Sequence, residues 1–174
     1  MDWQIFLKAL DYLCIKPNGS FYTVNMFHAT FVENYSQLVQ IFDTHNLRNQ
    51  LFIELIEHNG SSKCPENLKN PEKIPVIIDD FGYGFSNYEH IFSLLPHAIK
   101  LDRLFLKMPE RFVMELVMCF QSYGIDVVFE KCETQEELRW AKQMGFNYWQ
   151  GYYANIVSHR HNLNYAQKET FTNV

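Results

Sequence analysis

Six short apolar runs with strand character alternate along most of the chain with segments of helical spacing, and this alternation restricts the fold more than any other feature. The runs cover residues 21–25, 51–57, 74–78, 98–102, 125–130 and 146–150. Between them, apolar side chains recur three or four residues apart, as an amphipathic helix requires. Leu38, Val39, Ile41 and Phe42 mark one helix, and Tyr88, Ile91, Phe92 and Leu95 another. Phe112, Val113, Leu116, Val117 and Phe120 mark a third that ends at Gly124, and Leu138, Ala141 and Met144 a fourth that ends at Gly145. A further helix, carrying Trp3, Phe6, Leu7, Leu10 and Leu13, precedes the first strand and stops at Pro17-Asn18-Gly19. Strands separated by helices form parallel βαβ units, so the expected class is α/β, either a barrel or an open doubly wound sheet. One connection breaks the pattern. Residues 58–73 are polar and contain Pro65 and Pro71, which leaves room for no more than a short turn of helix.

With 174 residues, 47% of them hydrophobic, the chain can bury a core as one domain. Its formal net charge of −5 and the lack of any basic cluster argue against direct nucleic-acid binding. Polar residues interrupt the first apolar stretch, which has no basic flank, so a signal peptide is not expected. No run reaches the ~18 apolar residues of a membrane span. Cys14, Cys64, Cys119 and Cys132 lack the spacing of a zinc site and lie mostly in apolar runs, which suits reduced core thiols in a cytoplasmic protein. Residues 155–174 read as a polar, frayed tail after a domain of residues 1–154.

The strand ends carry the chemistry. In parallel α/β folds the carboxyl ends of the strands collect functional groups. Here those ends bear Asn25, Glu54 with Glu57, Asp79 with Asp80, Lys100 with Asp102, Glu130 with Glu133, and Gln150. Adjacent carboxylates at the mouth of a buried strand are costly unless a cation or basic group neutralises them. Carboxylate and amide oxygens without thiolates or clustered histidines suit Mg²⁺ or Mn²⁺. Two aspartates side by side, a lysine and a further glutamate match the requirements of metal-assisted phosphodiester hydrolysis.

Taken in order, these motifs resemble the EAL-domain family of cyclic di-GMP phosphodiesterases. They are Val24-Asn25, Glu54-x-x-Glu57, Asp79-Asp80-Phe81-Gly82-x-Gly84-x-Ser86, Lys100-Leu-Asp102-Arg103, Glu130-x-x-Glu133-Thr134-x-Glu136 and Gln150-Gly151. The resemblance implies metal ligation by Asn25, Glu54, Asp79 and Asp80, with Asp80 shared with a second ion. It implies that Lys100 and Glu130 hold and activate water, that Gln150 and Glu133 line the nucleotide pocket, and that Glu57 anchors the loop after Asp79-Asp80.

The family's barrel has eight strands, and the resemblance covers only the last six. The expected architecture is therefore an incomplete TIM-like barrel of about six parallel strands, without the strand that bears the signature Glu-Ala-Leu. Glu137-Leu138-Arg139-Trp140 imitates that signature but lies in a helical segment. Ile56, Tyr83 and Lys131 also depart from the family pattern, and strand alternation leads Lys131 to be expected outward in solvent. The expected function is a catalytically impaired regulator that binds a protein partner, a second copy or cyclic di-GMP. The alternative is an active phosphodiesterase completed by oligomerisation. Open sheet edges would require cover from the first helix, the tail or another chain.

Overall fold

The computed structural model describes residues 2–15, 22–56, 69–82, 88–153 and 172–173. The chain divides into two compact units, Met1–Pro96 with Thr172–Val174, and His97–Phe171. Glu57, expected as a loop anchor, lies outside the described residues, as do Tyr83, Gly84 and Ser86.

The first unit begins with helix α1 (Asp2–Ile15), which buries Phe6, Ala9 and Leu10. Strand β1 (Tyr22–Phe27) pairs in parallel with β2 (Leu51–Ile56), from Tyr22 opposite Leu51 to Phe27 opposite Ile56. On its other side, β2 pairs in parallel with β3 (Val76–Phe81), with Ile53 opposite Val76 and Leu55 opposite Ile78. β2 is buried from Leu51 through Leu55, the near-continuous burial of a parallel strand covered on both faces. Between β1 and β2 run helices α2 (His28–Glu33) and α3 (Tyr35–Thr44), and α3 turns Leu38 and Phe42 inward. α2 was not apparent from periodicity, because a six-residue helix with one buried side chain, Phe31, has little period to read. Helix α4 (Tyr88–Leu94) follows β3.

Two features organise this unit. The Asp2 carboxylate, in the first turn of α1, accepts a 3.0 Å hydrogen bond from the Phe27 amide at the end of β1. Asn70, 4% exposed, is a junction. Its Oδ1 accepts from the Ile74 amide at 2.8 Å and from the Tyr35 hydroxyl at 2.9 Å, while its Nδ2 donates to the carbonyls of Ile74 at 2.7 Å and Leu94 at 3.3 Å.

Two residues of the segment expected to fray are extended instead. Thr172 and Asn173 form a short strand, β7, parallel to β1 and opposite Tyr22 and Thr23. The outer edge of β1 is thus covered at its start from within the chain, because exposed backbone groups there can pair with any extended segment that reaches them.

In the second unit, β4 (Ala98–Leu101) pairs in parallel with β5 (Asp126–Phe129) over four positions, and β5 pairs with β6 (Tyr148–Trp149). A short 3₁₀ helix (Arg103–Lys107) follows β4, and its first turn is capped by the Asp102 carboxylate, which accepts from the Leu104 amide. Helix α5 (Glu110–Ser122) packs Val113, Leu116, Val117 and Phe120 inward. Cys119 falls on its opposite side and is exposed, against the expectation of a core thiol, whereas Cys132 is buried. Helix α6 (Gln135–Met144) starts with a capping box, in which the Thr134 hydroxyl accepts from the Glu137 amide and the Glu137 carboxylate accepts from the Thr134 amide. Gly145, in the left-handed conformation, ends it. Phe129, Trp140 and Phe146 form an aromatic cluster with ring centroids 5.4 to 5.8 Å apart.

Candidate functional site

In the first unit the strand register places Asn25 beside Glu54. Glu54 lies opposite Ile77, and Asp79 is two residues further along the same face of β3. A carboxylate oxygen of Glu54 and one of Asp79 accordingly approach within 4.8 Å. Glu54 is 2% exposed, Asp79 half-buried, and Asn25 and Asp80 exposed. β3 runs further than its apolar residues suggest, so both aspartates belong to the strand rather than to its mouth. Asp80 takes a left-handed φ of 47°, and its amide donates to Asp79 Oδ1 at 3.0 Å. That turn takes Asp80 out of regular strand alternation.

Oxygen donors of this kind fit a hard divalent cation. Glu54 and Asp79, with oxygens within 4.8 Å of one another, would hold such an ion. The remaining donors would come from Asn25 and Asp80.

In the second unit the β4 and β5 ends are laced together by ion pairs. Lys100 Nζ lies 3.1 Å from Glu130 Oε1, and the two side chains are 1% and 10% exposed. The next pair has the charges reversed, with Lys131 donating to Asp102 across the same two strand ends. Lys131 is exposed, as expected, with 57% of its side chain accessible, and its ammonium also reaches Asp102. Its φ of 54° departs from extended strand backbone, and the ammonium turns back across the strand ends. Arg103 continues the lacing, with one nitrogen 2.6 Å from Glu133 Oε2 and another bonded to Glu137 Oε1. Glu137 Oε2 also accepts from the Glu133 amide at 2.6 Å. Glu133 thus points toward Arg103.

These contacts tune the acids. Burial opposes ionisation of Asp102 most strongly, yet the hydrogen bond from Lys131 and that from the Leu104 amide, aided by the nearby guanidinium of Arg103, hold its carboxyl below the ordinary value. Burial likewise opposes ionisation of Glu137, but donors from Glu133, Arg103 and Thr134 prevail and lower it. Burial, reinforced by the charge of Glu137, pushes the Cys132 thiol up to about 11. The loop carrying Cys132 is held against the end of β6, because the Cys132 amide donates to the Gln150 carbonyl at 2.9 Å and the Tyr153 amide donates to the Cys132 carbonyl at 3.0 Å. Gln150 Oε1 is a buried atom without a hydrogen-bond partner among the described residues. Arg103 and Glu137 are the residues that strand-end reasoning left without a role. The Thr-x-x-Glu spacing of Thr134 and Glu137 was the available sign that the latter caps a helix.

Comparison with known proteins places these observations in a family. The EAL domain profile matches residues 14–155. The probable cyclic di-GMP phosphodiesterase PdeA of Escherichia coli K12 is 26% identical over 168 residues, which is 87% of this chain and 23% of PdeA. The chain thus spans about a quarter of the length of that relative. An EAL domain protein from Listeria monocytogenes superposes with a TM-score of 0.68 at 22% identity, over 94% of this chain and 73% of that one. The manganese and cyclic di-GMP complex of Klebsiella pneumoniae BlrP1 superposes with a TM-score of 0.66 at 24% identity, over 83% of this chain and 41% of that one. The α/β fold with its parallel strands is therefore that of EAL domains, and the chain belongs to the EAL domain family.

Proposed function

We propose that this chain is an EAL-family regulator of cyclic di-GMP signalling that acts in the cytoplasm, binds the dinucleotide together with Mg²⁺ or Mn²⁺, and hydrolyses it slowly or not at all. The pairing of Glu54 and Asp79 within 4.8 Å carries the binding half of this reading, because two acids so placed gain from a shared cation. Asn25, Glu54, Asp79 and Asp80 would hold the metal, which supplies charge stabilisation at phosphate oxygens and an acidified water. Gln150 and Glu133 would contact the nucleotide. Lys100 would orient water and phosphate, and Glu130 would accept the proton. The slow half of the reading rests on residues that depart from the family pattern beside the site, Ile56 after Glu54 and Lys131 after Glu130, since changes around a metal's ligands cost 10–100-fold in affinity or activity. A protein partner or second copy is the proposed output, joined to the domain of residues 1–154.

The relatives named as phosphodiesterases favour a rival, an active hydrolase completed by a second copy. Incubating the purified polypeptide with cyclic di-GMP and Mg²⁺ or Mn²⁺ separates the two. Binding by calorimetry with turnover below about 0.1 s⁻¹, a hundredfold under a typical enzyme, is expected. Faster appearance of the linear dinucleotide would establish the rival. Asp79→Asn should raise the melting temperature in EDTA and diminish the gain on adding metal, and an unchanged response would show that no metal site forms.

A further inference from the structure

Lys131 occupies a backbone conformation that a side chain rarely adopts, and its exposed ammonium pairs with the buried Asp102 carboxylate. The β4 and β5 ends therefore carry two lysine–carboxylate pairs in opposite order. Lys100 of β4 meets Glu130 after β5, and Asp102 after β4 meets Lys131 after β5. Lys100 and Asp102 are two residues apart, and Asp102 remains extended at φ −72° and ψ 163°. They consequently project to the same side of the chain, with Cα atoms about 6.6 Å apart at ~3.3 Å per residue. Lysine on its four-carbon stem can span that gap. Without Lys131, the buried Asp102 carboxylate keeps the Leu104 amide and the nearby charge of Arg103 but loses its bonded ammonium, and Lys100 is the buried ammonium alongside it.

We propose that Lys131 is a positioning residue: by engaging Asp102, it removes a competitor for Lys100 and so keeps the Lys100 ammonium on Glu130. This deepens the functional reading above, in which Lys100 and Glu130 are the working pair. It is nevertheless measurable without turnover. The pair would be maintained not only by the two residues that form it but also by a charge one position along that takes part in neither side of it.

The test follows the partner of the Lys100 ammonium by NMR, using a nitrogen–carbon correlation across the hydrogen bond. Glutamate and aspartate carboxyl carbons are distinct in shift, and Lys100→Arg assigns the signal. In the unmodified chain the correlation should run to a glutamate carboxyl. In Lys131→Met it should weaken at least about twofold, as expected when a competitor of similar strength is released, with a new correlation to an aspartate carboxyl. Adding Asp102→Asn to Lys131→Met should restore the original correlation. A residue that merely braced the loop would not be rescued by removing Asp102. Lys131→Gly, which suits the positive φ, gives the same readout should the methionine variant not fold. An undiminished glutamate correlation in the single variants, or no recovery in the folded double variant, would overturn the proposal. Both results are independent of whether cyclic di-GMP binds.

Discussion

Gly151→Ala should be among the most damaging single-methyl additions in the second unit. Gly151 has a φ of 146°, and a Cβ there would lie 2.3 Å from the Cys132 nitrogen, 2.5 Å from its carbonyl oxygen and 2.9 Å from its carbonyl carbon. All three are backbone atoms, so no side chain can rotate away to relieve the clash. Separating the two segments breaks the Cys132–Gln150 and Tyr153–Cys132 hydrogen bonds of 2.9 and 3.0 Å. Each such bond contributes about 1 kcal/mol net. The strained backbone adds on the order of 1–3 kcal/mol. The sum is about 3–5 kcal/mol, or roughly 10 °C of melting temperature for a protein of this size. Gly124→Ala is the control. Its φ of 74° is also positive, but nothing lies within 4 Å of the added methyl, so only the conformational cost of roughly 1–2 kcal/mol applies. Thermal melts monitored by circular dichroism compare the two. Equal losses would show that the packing of Gly151 on the Cys132 loop is not what holds that loop.

The acid limb of stability should depend on the Arg103 and Lys131 network. Asp102 and Glu137 both have lowered pKa values, so their stabilisation is complete above the ordinary carboxylate range near 4 and is lost as pH falls below that range through their lowered folded-state values. Urea midpoints between pH 7 and pH 3 should fall more for the unmodified chain than for Glu137→Gln, and parallel curves would refute this. Lys100→Met should cost about 3–5 kcal/mol by leaving the Glu130 charge without its ammonium, and Lys100→Met/Glu130→Gln should recover part of it. Chemical denaturation measures both, and a double variant no more stable than the single would refute the pairing. Alkylation by iodoacetamide at pH 8, mapped by mass spectrometry, should modify exposed Cys119 well before buried Cys132 with its thiol pushed up to about 11. Equal rates would show that the Cys132 loop opens freely.

The parts of the fold visible in the sequence are those with a strong period or an unusual end. The helix of Val113, Leu116, Val117 and Phe120 and the strand at 51–57 were legible because burial on one stripe, or along a whole strand, leaves its mark in composition. α2 and β7 were not, since six and two residues respectively are too few to establish a period. At the site, Glu54 and Asp79 were legible as acids at strand ends, whereas their approach within 4.8 Å follows from the pairing of β2 with β3, which the sequence does not print. Lys131 is exposed as strand alternation predicts, but its pairing with Asp102 was not legible, since a positive φ outside glycine leaves no composition signal. The partners of Arg103 depend on two strand ends coming together, which local spacing does not encode.

Asn70 acts as a phase marker for chemistry it does not touch. It grips Ile74 by both its amide and its carbonyl, five residues ahead of Asp79. Adjacent side chains in a strand project to opposite faces, so a slip of one residue at Ile74 would carry Asp79 off the face it shares with Glu54. An amide at the foot of β3 thereby fixes the register that brings the Asp79 carboxylate to Glu54 at its head.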